Sequence, residues 1–335
     1  MNAQDLSTRL EEYLDAQDCG RTHHVVSDVS EINVGWETEI FTFKSSTHVD
    51  GFLVEADLVL RVFPGERASM KASKEYYLMK KLHEAGYPVP PVNHLDAAGV
   101  CIGKPFIVMK RVLGKTLDGS YQSDSPEGLR EGLSKLVGLF VGLHMLDSSL
   151  FVDVPGLSSY SLAQWYSDYI KHWKDEYAPW MTPVIDWIDG NMPCEASPSL
   201  CHMDFHGMNI MMDEAGQPYV IDWGGSVICD YRLDLAWTLL LYSTFGGSMF
   251  RAPLIESYEG LSGEKIDDLE FFEVLAAARR IIDLVKTVGG GSAGLRSDVV
   301  RLMRDQRAHF IKVHDFLEER TGIRLVEFDE LLASF

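Results

Sequence analysis

The sequence predicts an α+β fold of two lobes, a small β lobe followed by a larger helical one. Three observations carry this: strand-like patterning over residues 28–111, helical periodicity in most of the chain after residue 115, and a length of 335 residues, which suits two such bodies. We place the lobes at residues 1–112 and 113–335, joined near 109–115.

Taken in order, MNAQDLSTRLEEYLDAQDCG is amphipathic with helical spacing and lacks the basic start and apolar run of a secretion signal. INVGWETEIFTF, LVEADLVLRVF and PFIVMKR read as strands. Between the last two a helix is expected from Glu66 to Ala85, stopped by Gly86 with Pro88 beyond. After LGKTL, five segments read as helices: EGLRE through HMLD, SLAQWYSDYIKHW, DLAWTLLLYSTF, DLEFFEVLAAARRIIDLVKTV and SDVVRLMRDQRAHFIKVHDFLEER. A hairpin near 209–223 interrupts them. The run from Gly289 to Gly294 spells G-x-G-x-x-G, but it follows a helical pattern where a dinucleotide fingerprint needs a strand, so it reads as a linker.

Composition narrows the function. With 46% hydrophobic and 24% charged residues the chain is ordinary globular material. Lys plus Arg is 30 against 50 for Asp plus Glu, and the net charge of -20 repels phosphate backbones and anionic lipid, so neither nucleic acid nor a membrane is an expected partner. No apolar run reaches the length of a membrane span. Cys19, Cys101, Cys194, Cys201 and Cys229 are scattered and form no C-x-x-C pair, which speaks against a disulfide framework or zinc ribbon and for a reducing, cytoplasmic setting.

The chemistry concentrates in LCHMDFHGMNIMMDEAGQPYVIDWGG, residues 200–225, which holds His202, Asp204, Asn209 and Asp222. Glu214 to Gln217 is a turn signal between two apolar stretches, and its midpoint is also that of Asn209 and Asp222. A hairpin of that register sets the two opposite one another, where an amide oxygen and a carboxylate converge on one hard cation. Mg²⁺ completes its shell with water and phosphate oxygens, which suggests a nucleotide polyphosphate. Asp204 is then placed to accept a hydroxyl proton, a phosphoryl-transfer layout. In LVLRVF, Arg61 occupies an interior strand position and needs a partner, for which Glu75 on the following helix is the candidate.

These residues resemble the aminoglycoside phosphotransferase and choline kinase superfamily over about residues 30–285. H-x-D-x-x-x-x-N from His202 to Asn209 is similar to its catalytic loop, Ile221-Asp222-Trp223 to its metal-binding motif, Asp230 to Ala236 to its D-P-x-x-D-L-A, and Gly142 to Asp147 to its L-H-x-L-D helix. The resemblance implies a protein-kinase-like fold with an antiparallel sheet and one main helix in the amino-terminal lobe. It makes Asp204 the catalytic base, Asn209 and Asp222 the Mg²⁺ ligands, and His202 and Asp234 supports of the catalytic loop. Arg61, paired with Glu75, would reach the nucleotide phosphates, Gly35 would lie in the loop over them, and backbone groups at Lys110 and Val112 would meet the base of ATP or GTP. The sequence departs from the family at Tyr231, where many relatives have Pro, and at His206-Gly207-Met208, where many have Pro-Gly before the Asn. His144 reads as a core histidine.

Eleven residues between Asp222 and Asp234 leave no room for a peptide-binding platform, so a small-molecule acceptor is expected. Asp168, Trp173 and Glu176, with Glu270 and Glu273 further on, would suit an amine-bearing alcohol through charge and cation–π contacts. An aminoglycoside-like antibiotic is the leading acceptor. Choline, an amino alcohol or a sugar is the alternative, and a silent nucleotide-binding module is another. A metal hydrolase built on His202, Asp204 and His206 leaves Asn209, Asp222, Arg61 and Glu75 without a role. A monomer or a homodimer is expected.

Overall fold

The structure is a computed structural model that describes residues 3–17, 23–32, 38–120, 125–194, 198–246, 250–289 and 297–334. Gly35 and residues 290–294 of the glycine run lie outside the described residues. The elements, in chain order, begin with α1 (Ala3–Gln17), β1 (Val25–Ile32), β2 (Glu39–Val49), β3 (Phe52–Val62), α2 (Ala68–Glu84), β4 (Val92–Asp96), β5 (Phe106–Lys110), β6 (Gly114–Thr116) and α3 (Leu117–Ser120). They continue with α4 (Pro126–His144), α5 (Leu162–Tyr166), α6 (His172–Tyr177), α7 (Thr182–Gly190), β7 (Pro198–Cys201), β8 (Ile210–Asp213), β9 (Pro218–Val220), β10 (Val227–Asp230), α8 (Tyr231–Leu241), α9 (Arg251–Ser262), α10 (Leu269–Gly289), α11 (Ser297–Thr321) and α12 (Val326–Ala333). Two compact units result: unit 1 takes Met1–Gln122, Ser149–Leu157 and Gly207–Gly224, and unit 2 takes the rest.

Unit 1 is built on a five-stranded antiparallel sheet of order β1-β2-β3-β5-β4. Strand alternation sorts β3: Leu58, Leu60 and Val62 enter a core with Phe43, Phe106, Val108 and the α1 residues Leu6, Leu10 and Leu14. Arg61 is out of phase with that set and turns to the side of α2. The stretch read as one strand, INVGWETEIFTF, instead ends β1 and opens β2. Asp50 and Gly51, at φ 50° and 83°, supply the left-handed pair that the tight β2–β3 turn requires. Helix α2 stops as expected, with Gly86 at φ 78° beyond it. A second sheet of order β6-β8-β9 needs glycine at Gly114, where a Cβ would lie 1.8 Å from the Met212 carbonyl oxygen.

Unit 2 is mostly helical, with β7 and β10 paired antiparallel. Its core draws Trp165 and Ile170, Val184 and Ile188, Leu233 and Leu240, Phe272, Leu275 and Ile282, and Val313 and Leu317 into one cluster. Two segments read as single helices are interrupted by π turns. Ser167–Lys171 separates α5 from α6, and Tyr242–Gly246 follows α8. In the second, Thr244 Oγ1 donates back to the Leu240 carbonyl at 2.7 Å, a local competition with the helical ladder. No described helix is long and apolar enough to cross a membrane.

Because Leu10 is fully buried against the β3 side of the sheet, Leu10→Ala is expected to lower unfolding stability by about 2–5 kcal/mol in chemical denaturation.

Candidate active site

In unit 1 a buried guanidinium meets two carboxylates. Arg61 Nη2 donates to Asp222 Oδ1 at 2.9 Å, and Arg61 Nε lies 3.3 Å from Glu75 Oε1. Neither Nε nor the Glu75 oxygens find an aligned hydrogen bond among the described residues, so the Glu75 contact is coulombic and the Asp222 contact is a charge-assisted hydrogen bond. Burial pushes the Glu75 carboxyl up to about 7 against the pull of Arg61. Burial also opposes the Arg61 charge, but Glu75 and Asp222 outweigh it and raise its pKa. Next to Glu75, Lys74 Nζ donates to the Gly224 carbonyl at 3.0 Å, two residues past Asp222, and burial pulls its ammonium down to about 8.

The hairpin differs from its expected register. Strands β8 and β9 pair Ile210 with Val220 and Met211 with Tyr219, and the Asn209 carbonyl accepts from the Ile221 N–H at 2.9 Å. Asn209 therefore stands opposite Ile221 and not Asp222. The turn explains the shift: Glu214 to Gly216 is a three-residue loop with Gly216 at φ 78°, closed by Asp213 Oδ1 on the amides of Ala215 and Gln217 at 2.9 and 2.8 Å. An odd loop moves the pairing by one residue. Asp222 then leaves the hairpin at φ 68°, a conformation that few residues other than Gly, Asn and Asp adopt readily, and its carboxylate goes to Arg61.

The Lys110 side chain is exposed and Val112 is half-buried. The Lys110 N–H donates to the Pro91 carbonyl at 2.9 Å, and the Val112 N–H makes no hydrogen bond among the described residues. Both residues line a cavity of about 560 Å³ with Asp57, Pro91 and Tyr219. Asp118 was not anticipated from sequence. Its Oδ1 would lie 1.9 Å from a Cβ at Gly207, so this loop passes close to that carboxylate only because residue 207 is glycine.

In unit 2 the loop carrying Asp204 is held by Asp234. The Asp234 oxygens accept from the amides of His202 at 2.5 Å and Met203 at 2.8 Å, which fixes Met203 at φ 67°. Asp204 Oδ1 accepts from Trp237 Nε1 at 3.0 Å, and its Oδ2 lies 3.5 Å from His206 Nε2. Burial alone would raise the Asp204 pKa, but His206, Trp237 and His202 together hold it well below the usual carboxylate range. Trp237 was also missed, although it follows Asp234 by three residues on α8; its ring lies under the Arg279 guanidinium at 4.0 Å. His144 is buried as expected, with Nδ1 2.8 Å from Tyr258 Oη and Nε2 3.4 Å from Asp234. Tyr231 stacks on Tyr258 with rings 4° from parallel.

Among the described residues, the group whose ligand atoms approach within 4.8 Å of one another is His144, Cys201 and Asp234, not His202, Asp204 and His206. The hydrogen bonds from His202 and Met203 account for both Asp234 oxygens, so this cluster reads as a hydrogen-bond network.

The acceptor candidates separate. Asp168, Glu176 and Glu270 are exposed. Trp173 is faced by the protein's own Lys286 ammonium at 3.8 Å. Glu273 is fully buried and bound by Arg251 at 2.7 and 3.0 Å and by Arg320 at 2.7 Å, so its charge serves as counter-ion to two arginines.

With this geometry in view, the chain belongs to the phosphotransferase enzyme family, which it matches over residues 29–272. Its protein-kinase-like α+β fold is shared by aminoglycoside phosphotransferase APH(4)-Ia (TM-score 0.62, 18% identity, covering 94% of this chain and 99% of that one). It is also shared by choline kinase LicA from Streptococcus pneumoniae (TM-score 0.58, 13% identity, 92% and 99%). A mutant of APH(4)-Ia has been solved with ADP and hygromycin B. Among curated proteins it is 28% identical over 207 residues to acyl-CoA dehydrogenase family member 10 of Mus musculus, covering 57% of this chain and 19% of that protein. It is 28% identical over 184 residues to acyl-CoA dehydrogenase family member 11 of Gallus gallus, covering 51% and 23%. The matches span about a fifth of the length of these relatives.

Glu75 supplies a pH test. Between its ordinary value of 4.5 and its folded value of about 7 the folded chain binds a proton there that the unfolded chain has lost, so this group's contribution to stability falls as pH rises through that window. Glu75→Gln is expected to remove that slope, changing the pH 5 to pH 7.5 stability difference by on the order of 2 kcal/mol relative to the unaltered chain. Denaturant titration at the two pH values checks it.

Proposed function

We propose that this chain is an O-phosphotransferase that moves the γ-phosphoryl group of ATP or GTP, with Mg²⁺, to a hydroxyl of a small molecule. The observation that carries the reading is Arg61 bound at once to Glu75 and Asp222. Asn209 and Asp222 offer hard oxygen donors from the same hairpin, and Asp222 already attracts a cationic guanidinium, so the donor set fits magnesium. Bound Mg²⁺ would neutralise charge on the phosphate oxygens.

The chain's own groups account for the remainder. Arg61, steadied by Glu75, binds phosphate oxygens, and the backbone at Lys110 and Val112 receives the base. Asp204, with one oxygen fixed by Trp237, orients the acceptor hydroxyl and takes its proton as the new O–P bond forms and the bond from the γ-phosphorus to its bridging oxygen breaks. Its depressed pKa keeps Asp204 ionised far into acid and makes it a weak base, so orientation outweighs proton abstraction.

An aminoglycoside-like acceptor remains supported by the exposed Asp168, Glu176 and Glu270. A metabolite alcohol is the second reading, favoured by curated relatives named for acyl-CoA dehydrogenation.

Asp204→Asn is expected to lower turnover about 10²–10⁴-fold while leaving Mg-nucleotide affinity nearly unchanged. Release of ADP or GDP across aminoglycosides, amino alcohols, sugars and hydroxyacyl thioesters measures it; full turnover by the variant contradicts the role.

A further inference from the structure

We infer that the acceptor carries an anionic group, a carboxylate or a phosphate, and that Arg280 with the His309 ring N–H binds it. The inference rests on the kinase reading above and concerns which alcohol that site takes.

Arg280 lies on α10 beside Arg279, whose Nη1 donates to the Met203 carbonyl at 3.3 Å in the loop that carries Asp204. Arg280 Nε donates to His309 Nε2 at 2.9 Å and its Nη2 to Gln306 Oε1 at 3.0 Å. Both partners are neutral acceptors. Asp283, the carboxylate nearest in sequence, pairs with Arg279 at 3.7 Å, and among the described residues no carboxylate forms an ion pair with Arg280. A cation taken from water without a directly paired counter-charge is costly, and burial accordingly pulls the Arg280 pKa down, with Asp283 and Asp204 near enough to oppose the effect.

His309 adds a donor. Arginine can only donate, so His309 Nε2 accepts and the ring proton sits on Nδ1. That atom is buried and finds no hydrogen-bond partner among the described residues, while Phe245 stacks on the ring at 3.9 Å. Burial, Arg280 and Lys312 hold the imidazole neutral, with its pKa pulled down to about 3. Lys312 Nζ donates to the Thr244 carbonyl at 3.0 Å. Two cationic side chains and an unsatisfied N–H thus gather with no carboxylate paired directly to either among the described residues, Asp283 and Asp204 acting on Arg280 only from a distance.

Of the features expected to attract an amine, Trp173 and Glu273 are in contrast already occupied, which leaves the exposed Asp168, Glu176 and Glu270. Lys286 faces Trp173, and Arg251 and Arg320 neutralise Glu273.

The test uses alcohols that differ by one anion: glycerol, glycerate and glycerol 3-phosphate, with kanamycin and choline as cationic alcohols. With saturating Mg-ATP, kcat/KM for at least one anionic member should exceed that for glycerol ten-fold or more. Arg280→Gln should abolish the preference through KM, Arg280→Lys should keep part of it, and KM for Mg-ATP should stay within two-fold. His309→Phe, which preserves the ring stack, should weaken the preference several-fold and serves if Arg280→Gln fails to fold. Preference for glycerate identifies a carboxylate, and preference for glycerol 3-phosphate a phosphate. Equal use of glycerol and its anionic partners, a preference for kanamycin or choline, or a raised Mg-ATP KM in Arg280→Gln overturns the inference and leaves the kinase reading standing. If no alcohol is turned over, calorimetry with glycerate and glycerol 3-phosphate decides: saturable binding lost in Arg280→Gln upholds it, and no binding overturns it. Mg-ATP binding then judges the kinase reading separately.

Discussion

A guanidinium withdrawn from water must be given negative charge, and in unit 1 Arg61 receives it from two directions. Glu75 reaches it from α2, and Asp222 reaches it from the end of the β8–β9 hairpin. A strand, a helix and a hairpin distant in sequence are thereby tied to one cation. The two carboxylates are not equivalent: Glu75 is sealed from solvent, while the Asp222 side chain is 48% exposed. In the function proposed, the exposed member would exchange Arg61 for a metal while Arg61 takes a phosphate, and the sealed one would keep Arg61 in place.

Unit 2 solves a different problem by the same means. Met203 sits in the left-handed region, where a side chain is strained, and the two oxygens of Asp234 hold the amides of residues 202 and 203 in that shape. Asp204 is the next residue, and its direction is finished by Trp237 from the helix that also carries Asp234. One helix therefore supplies both the clamp on the backbone and the donor to the carboxylate.

Much of the fold was legible because period carries it. Alternation in LVLRVF separates Arg61 from the core face, and the Gly86 stop is visible as a residue type. The contact of Arg61 with Glu75 could be argued from the cost of a lone buried charge, and the D-L-A signature pointed to Asp234. What escaped depends on shape or on distant partners. Whether Gln217 belongs to the turn or closes it decides the hairpin register, and four turn-forming residues in a row do not say. Glu273 and Trp173 looked available because Arg251, Arg320 and Lys286 lie far away in sequence or on the far turns of α10. Asp118 left no signal beyond Gly207 itself.

The central claim is that Arg61, held by Glu75 and Asp222, receives nucleotide phosphate. Titration calorimetry of Mg-ATP against the unaltered chain and against Arg61→Met tests it most directly. The account predicts saturable binding by the unaltered chain and at least a ten-fold loss of affinity, about 1.4 kcal/mol, in the variant. Equal affinity of the two proteins, or no binding by either, would contradict it.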